Sequence, residues 1–434
     1  MPLNEEYIMN TFSKLGKKVA TLGAIGVFFI MALEVVIMIS PFAFFFYSVF
    51  NPIFHFLGQF SATRWTTSFF LPHMILPPTL FLQSLRVLGS VLFVTGFLLF
   101  TVCALQVYLG KIFKWGIADK GLYRYVRHPQ YLALGIWGTG MAILWPRFIV
   151  LVTLSLMFIL YYFLARDEER RMTNQYGASY EDYKSQRGMF LPLAIEKPVS
   201  GLFKRLAPSP ALQNLVIPLL ILVVVLGTGF GLRAVTVHSL PLAAQGNLTV
   251  VPILPEDATQ GDKILQGVLK AEAAGALPFL EPGKSYLGYV MPPDYIMQGM
   301  IADTGDRSHL FKHHHTVTLI VDWVIHPFEH LRRPPAAHMA AMHHMDPAMV
   351  RRHHCPLQLS QAQLACDTCP YRRVIWVEVN RGQTRSLAGE EDLSLGVKRH
   401  PVGFLDINTQ DGELVTAKPV QPGTAWKDVP TPEI

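Results

Sequence analysis

Arg127, His128 and Pro129 stand in line within YRYVRHPQYLALGIWGTG, residues 123–140, directly before an apolar run. Pro129 fits the first turn of a helix, where its missing N–H costs nothing and its ring pre-sets φ. The free N–H groups of such a turn carry a partial positive charge that favours an anion. Arg127 and His128 add to that field. The chemistry is that of a site for a carboxylate or phosphate at a membrane surface. A plainer reading stands beside it. Basic residues at a cytoplasmic helix end follow from topology alone, and Tyr123, Tyr125 and Tyr131 suit an interfacial aromatic belt.

A second cluster lies downstream in ARDEERRMTNQYGASYEDYKSQRGMFLP, residues 165–192. Glu168 and Glu169 abut an apolar run on the same side as Arg127 and His128. Acidic residues contribute little to topology, so orientation does not account for them. Pairing along one helix is the competing account: Glu168 with Arg171, and Asp167 with Arg170 or Arg171.

The elements that must hold these groups are membrane helices. Hydrophobic residues make up 51% of the chain and charged residues 16%, against about 25% charged in a soluble globular protein. A spanning helix needs about 20 apolar residues. The runs 19–40, 85–108, 129–145, 148–164 and 215–232 predict about five transmembrane helices. The run 42–60 is aromatic-rich and broken by Pro41 and Pro52, which leaves open whether it is a further span or a re-entrant piece. The first run follows Lys14, Lys17 and Lys18 with no small-residue cleavage site, so a retained anchor is expected.

Lys and Arg set the expected orientation. They crowd the N-terminus, the loop with Lys111, Lys114, Lys120, Arg124 and Arg127, and the stretch from Arg166 to Arg205. The other side shows Arg64, Arg86, Arg147 and Arg233 near the spans. Five spans then put the N-terminus and both basic loops in the cytoplasm of a bacterial inner membrane, with the C-terminal half in the periplasm. The net charge of +6 is placed beside the spans and is no argument for nucleic acid.

Together the two clusters resemble the isoprenylcysteine carboxyl methyltransferase and phospholipid methyltransferase superfamily. GLYRYVRHPQYLALG is similar to its G-x-Y-x-x-x-R-H-P-x-Y signature. Glu168, Glu169, Gly177, Tyr180, Tyr183, Phe190 and Pro192 resemble its E-E … G-x-x-Y-x-x-Y … F-x-P ending. The resemblance covers roughly residues 85–192. Tyr176 stands where the family usually has Phe, and the C-terminal half has no counterpart in the family core. The resemblance implies methyl transfer from S-adenosylmethionine at the cytoplasmic face, to a membrane lipid or a lipidated carboxylate or amine. It implies a cofactor site of Tyr123, Arg127, His128, Pro129, Tyr131, Glu168 and Glu169, with Arg127, Glu168 and Glu169 closest to the chemistry. Arg127 and the helix N-terminus would hold the cofactor carboxylate, and a Glu its ammonium or sulfonium. His128 and Tyr131 would bond the ribose or adenine.

The chain divides into a methyltransferase-like membrane domain, 1–211, an additional transmembrane helix, 212–237, and an exported α+β or mainly β domain, 238–434. Strands are predicted over 248–253, 316–325, 373–380 and 403–408, and a helix over 261–274. Eleven of the 16 histidines fall between His309 and His354. Cys355, Cys366 and Cys369 follow at once. Imidazole and thiolate suit zinc or copper, and His313, His315, Cys355, Cys366 and Cys369 are the expected ligands. A disulfide is the alternative in an oxidising compartment. A second functional class therefore stands beside the enzyme: a membrane scaffold whose exported domain binds a metal or docks onto other subunits of a membrane complex.

Overall fold

The computed structural model describes residues 29, 32–46, 48, 53–72, 77–113, 120–253, 257–291, 321, 324–328, 370–380 and 389–420. The N-terminal half is helical. Helix α1 covers Ala32–Phe46 and α2 Ile53–Gln59. Then follow α3, Leu80–Ile112, α4, Pro129–Leu144, and α5, Phe148–Tyr176. Beyond them lie α6, Ala178–Gln186, α7, Leu193–Leu206, and α8, Pro210–Ser239. Among the described residues three helices, α3, α5 and α8, are long and apolar enough to cross a membrane. Helices α1 and α4 are apolar but shorter.

Helix α1 runs through Pro41, where the sequence pattern predicts a break. Proline has no N–H to bond the Ile37 carbonyl four residues back. The Ser40 hydroxyl donates to that carbonyl instead, at 3.1 Å, so the helix continues.

Small residues let α3 and α4 approach closely, as in membrane helix pairs generally. A Cβ on Gly96 would meet the Trp137 backbone nitrogen at 2.3 Å, and one on Gly140 the Phe93 nitrogen at 2.4 Å. Phe42, Phe93 and Phe97 ring the Trp137 side chain with centroids 4.5, 6.0 and 5.2 Å away. This locks α1, α3 and α4 together. Helix α5 breaks at Gly177, whose φ of 57° and ψ of −131° suit a residue without Cβ. The chain there turns sharply into α6.

The far end of this bundle is closed by backbone pairing. Phe70 N–H donates to the Pro146 carbonyl at 2.8 Å and Phe148 N–H to Ser68 at 3.1 Å. Arg233 near the end of α8 is buried; it donates to the Phe69 carbonyl at 3.0 Å and to the Leu393 carbonyl. Leu393 belongs to the C-terminal unit. That unit therefore sits at the end of the bundle where α4 finishes and α5 begins, opposite the end that carries Arg127 and Glu169.

The C-terminal unit is a six-stranded mixed sheet in the order β1 to β6. Its strands are Ala243–Gln245, Leu248–Pro252, Ser285–Met291, Tyr371–Asn380, Lys398–Asn408 and Leu414–Pro419. β2 and β3 are parallel and the other neighbours antiparallel. Parallel pairing needs a crossover, which α9, Gly261–Ala273, supplies. Its buried Ile264, Leu265 and Val268 pack on Val250, Trp376 and Leu405. The opposite sheet face gathers Val251, Tyr289, Ile375 and Val377 with Leu393.

Several expectations shift. Helices α3, α5 and α8 run past the apolar runs that announce them, and α4 ends one residue short of its run. Of the predicted strand 316–325, the described residues Val321, Val324 and Ile325 are helical; a short apolar run fits either period. The strand predicted over 403–408 begins at Lys398 and passes Pro401 beside a bulge against β4. His313, His315, Cys355, Cys366 and Cys369 lie outside the described residues, so the zinc or copper expectation acquires no geometry. Among the described residues no group of three His, Cys, Asp or Glu could hold a metal ion.

Candidate active site

The start of α4 and the end of α5 meet, and the two charge clusters meet with them. His128 is the N-cap residue of α4, with Pro129 in the first turn and no capping bond from the imidazole. Arg127 N–H donates to the Gly188 carbonyl at 2.9 Å and His128 N–H to Met189 at 3.0 Å. The loop after α6 thus holds the approach to α4 as a short parallel bridge. That loop is fixed in turn by Glu196 of α7. Its carboxylate accepts from the N–H groups of Met189, Phe190 and Leu191 at 2.8, 3.1 and 3.3 Å.

Arg127 Nε lies 2.6 Å from Glu169 Oε1, both side chains buried. Its Nη1 donates to the carbonyls of Lys184, at 3.1 Å, and Arg187. His128 lies between the two acids, with Nδ1 3.5 Å from Glu168 and Nε2 3.4 Å from Glu169. Both nitrogens are buried, and neither makes an aligned hydrogen bond; these are ion-pair contacts of loose geometry. Burial lowers the His128 pKa, but contacts with Glu168 and Glu169 outweigh it, so the net displacement is upward. Tyr131 donates to Glu168 at 3.2 Å. Its ring stacks on Tyr161 at 4.8 Å and faces His128 at 5.6 Å.

Tyr123 stands behind this group. Burial pushes its phenol far above the ordinary range, which keeps the proton that it donates to Gln130 Oε1 at 2.6 Å. The Tyr183 hydroxyl donates to the Tyr123 carbonyl at 2.9 Å. Of the three acids in series, Asp167 takes the intrahelical pairing, with Arg170 at 2.6 Å and Arg171 at 3.1 Å. Glu168 and Glu169 reach across to the other cluster. An open cavity lined by Arg166, Glu169, Arg170, Glu181, Lys184 and Met189 lies beside Glu169.

The residues expected to form the cofactor site, Tyr123, Arg127, His128, Pro129, Tyr131, Glu168 and Glu169, lie in one neighbourhood. The cationic and acidic groups touch directly instead of facing one another over an open gap. Sequence reasoning passed over four participants. Glu196 and Lys184 look like ordinary surface charges, although Lys184 Nζ lies 3.9 Å from Glu169. Gln130 and Arg187 fill variable positions inside the recognised motifs. Their polarity there was the available signal.

A buried cation–carboxylate cluster thus stands where two apolar helices converge, and the comparisons say what those helices are similar to. Residues 84–179 match the family model described as phospholipid methyltransferase, which supports the superfamily resemblance over the helices that build the cluster. The chain is 34% identical over 80 residues to protein-S-isoprenylcysteine O-methyltransferase of Schizosaccharomyces pombe. That alignment covers 18% of this chain and 33% of the relative, so the chain spans about a third of the curated protein's length. No solved structure matches this chain. The family match ends before α8 and the sheet.

Proposed function

We propose that this protein is a membrane-embedded methyltransferase that takes its methyl group from S-adenosylmethionine and delivers it to a lipid or lipidated carboxylate or amine. The observation that carries the reading is the contact of Arg127 and His128 with Glu169 and Glu168, two motifs distant in sequence and joined in space. When bound, the cofactor supplies an electrophilic methyl group on a sulfonium.

The residues present fit such a zwitterion. Arg187 Nε, a buried donor without an aligned partner, and the uncapped start of α4 suit its carboxylate. Glu168, about a third exposed at 36%, suits its ammonium. Tyr131, packed between Tyr161 and His128, steadies Glu168 through its hydroxyl. Arg127 holds Glu169 and the backbone of the loop after α6, so its part is to keep the acids in place. Alignment of acceptor and methyl is the main demand of such a displacement. A carboxylate acceptor needs no base, whereas an amine would lose a proton to Glu168.

In this reading α1 and α4 complete five spans with α3, α5 and α8. The cluster faces the cytoplasm, and the sheet, at the opposite end, faces the periplasm. Isothermal calorimetry of the detergent-purified full chain with S-adenosylhomocysteine tests the enzyme reading. Binding that Arg127→Ala and Glu168→Ala abolish supports it; an inert wild type refutes it. A zinc or copper site on His313, His315, Cys355, Cys366 and Cys369 rests on sequence alone, and elemental analysis of the same preparation decides it.

A further inference from the structure

Helix α7 lies outside the family match and does two things at once. One face touches the candidate site through Glu196, as described above. Of its other described side chains, Ile195 and Val199 are 54% and 44% exposed, and Lys197 and Arg205 are exposed too. Glu196 is the sole acidic residue in its sequence, and the Met189–Leu191 amides occupy that carboxylate. What α7 presents outward is therefore apolar and cationic.

Its position is fixed by the chain. Three residues separate α7 from α8, and Gln213 of α8 reaches back to the Ala207 carbonyl at 2.9 Å. Arg166 near the end of α5 also donates to Asn214. These contacts put α7 at the end of the spanning helices that carries the cluster. A 14-residue helix with Pro198 inside it is marginal alone in water. An apolar face backed by cations, whose stems can reach round to the phosphates, gains stability by lying in the headgroup region of an anionic bilayer.

We infer that α7 is an interfacial strap that binds anionic phospholipid headgroups through Lys197 and Arg205, seats Ile195 and Val199 among acyl chains, and so holds Glu196 against the site loop. Lipid charge then sets how firmly the Arg127–His128 backbone is held. The binding surface stands by itself; its consequence for the site rests on the methyltransferase reading.

The test uses the full chain in nanodiscs of phosphatidylcholine alone or mixed with phosphatidylglycerol. Hydrogen–deuterium exchange follows residues 193–206 and the amides at 189–191, and calorimetry with S-adenosylhomocysteine runs on the same samples. Protection of 193–206 should rise with phosphatidylglycerol and fall with added salt, by about fivefold per basic residue. The Lys197→Gln, Arg205→Gln double variant should lose that response. Glu196→Gln should expose 189–191 while leaving the lipid response of 193–206 in place. Exchange indifferent to lipid charge overturns the inference, as does protection that follows the number of chains per disc, which would make a second copy the occupant. Lipid-responsive exchange without S-adenosylhomocysteine binding upholds the strap and sinks the methyltransferase reading; the converse sinks only the strap.

Discussion

Arg127 and Glu169, 42 residues apart in sequence, are bound Nε to Oε1 at 2.6 Å in a site that leaves their side chains 9% and 7% exposed. Such a pair contributes little net stability, because both ions lose hydration. Breaking it by removing one partner is different, since an uncompensated charge stays buried. Arg127→Met or Glu169→Leu alone should cost about 3–5 kcal/mol. The double variant should lose less than the sum. Thermal unfolding in detergent reads this. Arg127→Lys should not restore the wild-type midpoint, because one ammonium cannot serve Glu169 and the Lys184 and Arg187 carbonyls together.

His128 makes the same cluster sensitive to pH. Its pKa is raised in the fold above the ordinary 6.5, with Glu168 and Glu169 outweighing the lowering by burial. The sign follows. The stabilisation is fully present below the unfolded value, where both states are protonated, and is lost as pH rises through the folded value. Arg127 and Lys184 also face the shared Glu169, and Tyr131 faces Glu168. Melting temperature should therefore decline from near neutral pH toward alkaline pH. His128→Gln should flatten that limb while lowering stability at pH 6. A decline identical in both proteins would remove His128 as its cause.

Helix packing gives a prediction that involves no charge. Gly96 and Gly140 face backbone atoms at distances no Cβ can occupy. Backbone cannot rotate aside as a side chain can, so α3 and α4 must separate. Gly96→Ala and Gly140→Ala should each cost about 1–3 kcal/mol. Gly231→Ala in α8, where nothing lies within 4 Å, should cost nothing and can gain up to about 1 kcal/mol. Differential scanning fluorimetry of the three variants compares them under one condition.

The parts of the site legible in the sequence were those with charge in an apolar setting. Arg127, His128, Glu168 and Glu169 stand out because hydrocarbon gives such residues little reason to be there. Glu196 was illegible because its partners are backbone amides, which leave no mark on side-chain type. The distinction between Asp167 and its two acidic neighbours was equally hidden. All three could pair along the helix, and only the azimuth of α5 against α4 separates them. In the sheet, 373–380 was visible through its β-branched and aromatic run. β3, SYLGYVM, carries the same signal, with Tyr286, Tyr289 and Val290 buried, but Gly288 interrupts its pattern. A Cβ at that glycine would meet Trp376 atoms at 2.9 Å, so the interruption is a packing requirement.

Arg233 supplies the last prediction. It sits in an apolar helix at 5% exposure and spends two donors on the carbonyls of Phe69 and Leu393. One acceptor belongs to the bundle and the other to the sheet unit, so a single guanidinium ties them. Thr236 adds a bond to the Phe70 carbonyl at 3.2 Å. Arg233→Met keeps the length and apolar stem but leaves both carbonyls without this donor, a cost of about 1–3 kcal/mol for each buried group. The loss should be local, because the cluster around Arg127 lies at the other end of the bundle. Hydrogen exchange should quicken at residues 390–393 and 69–71, while S-adenosylhomocysteine affinity stays at the wild-type value. Loss of that affinity in a variant that still melts cooperatively would mean that the two ends are coupled through α5 and α8, against the independence argued from their separation.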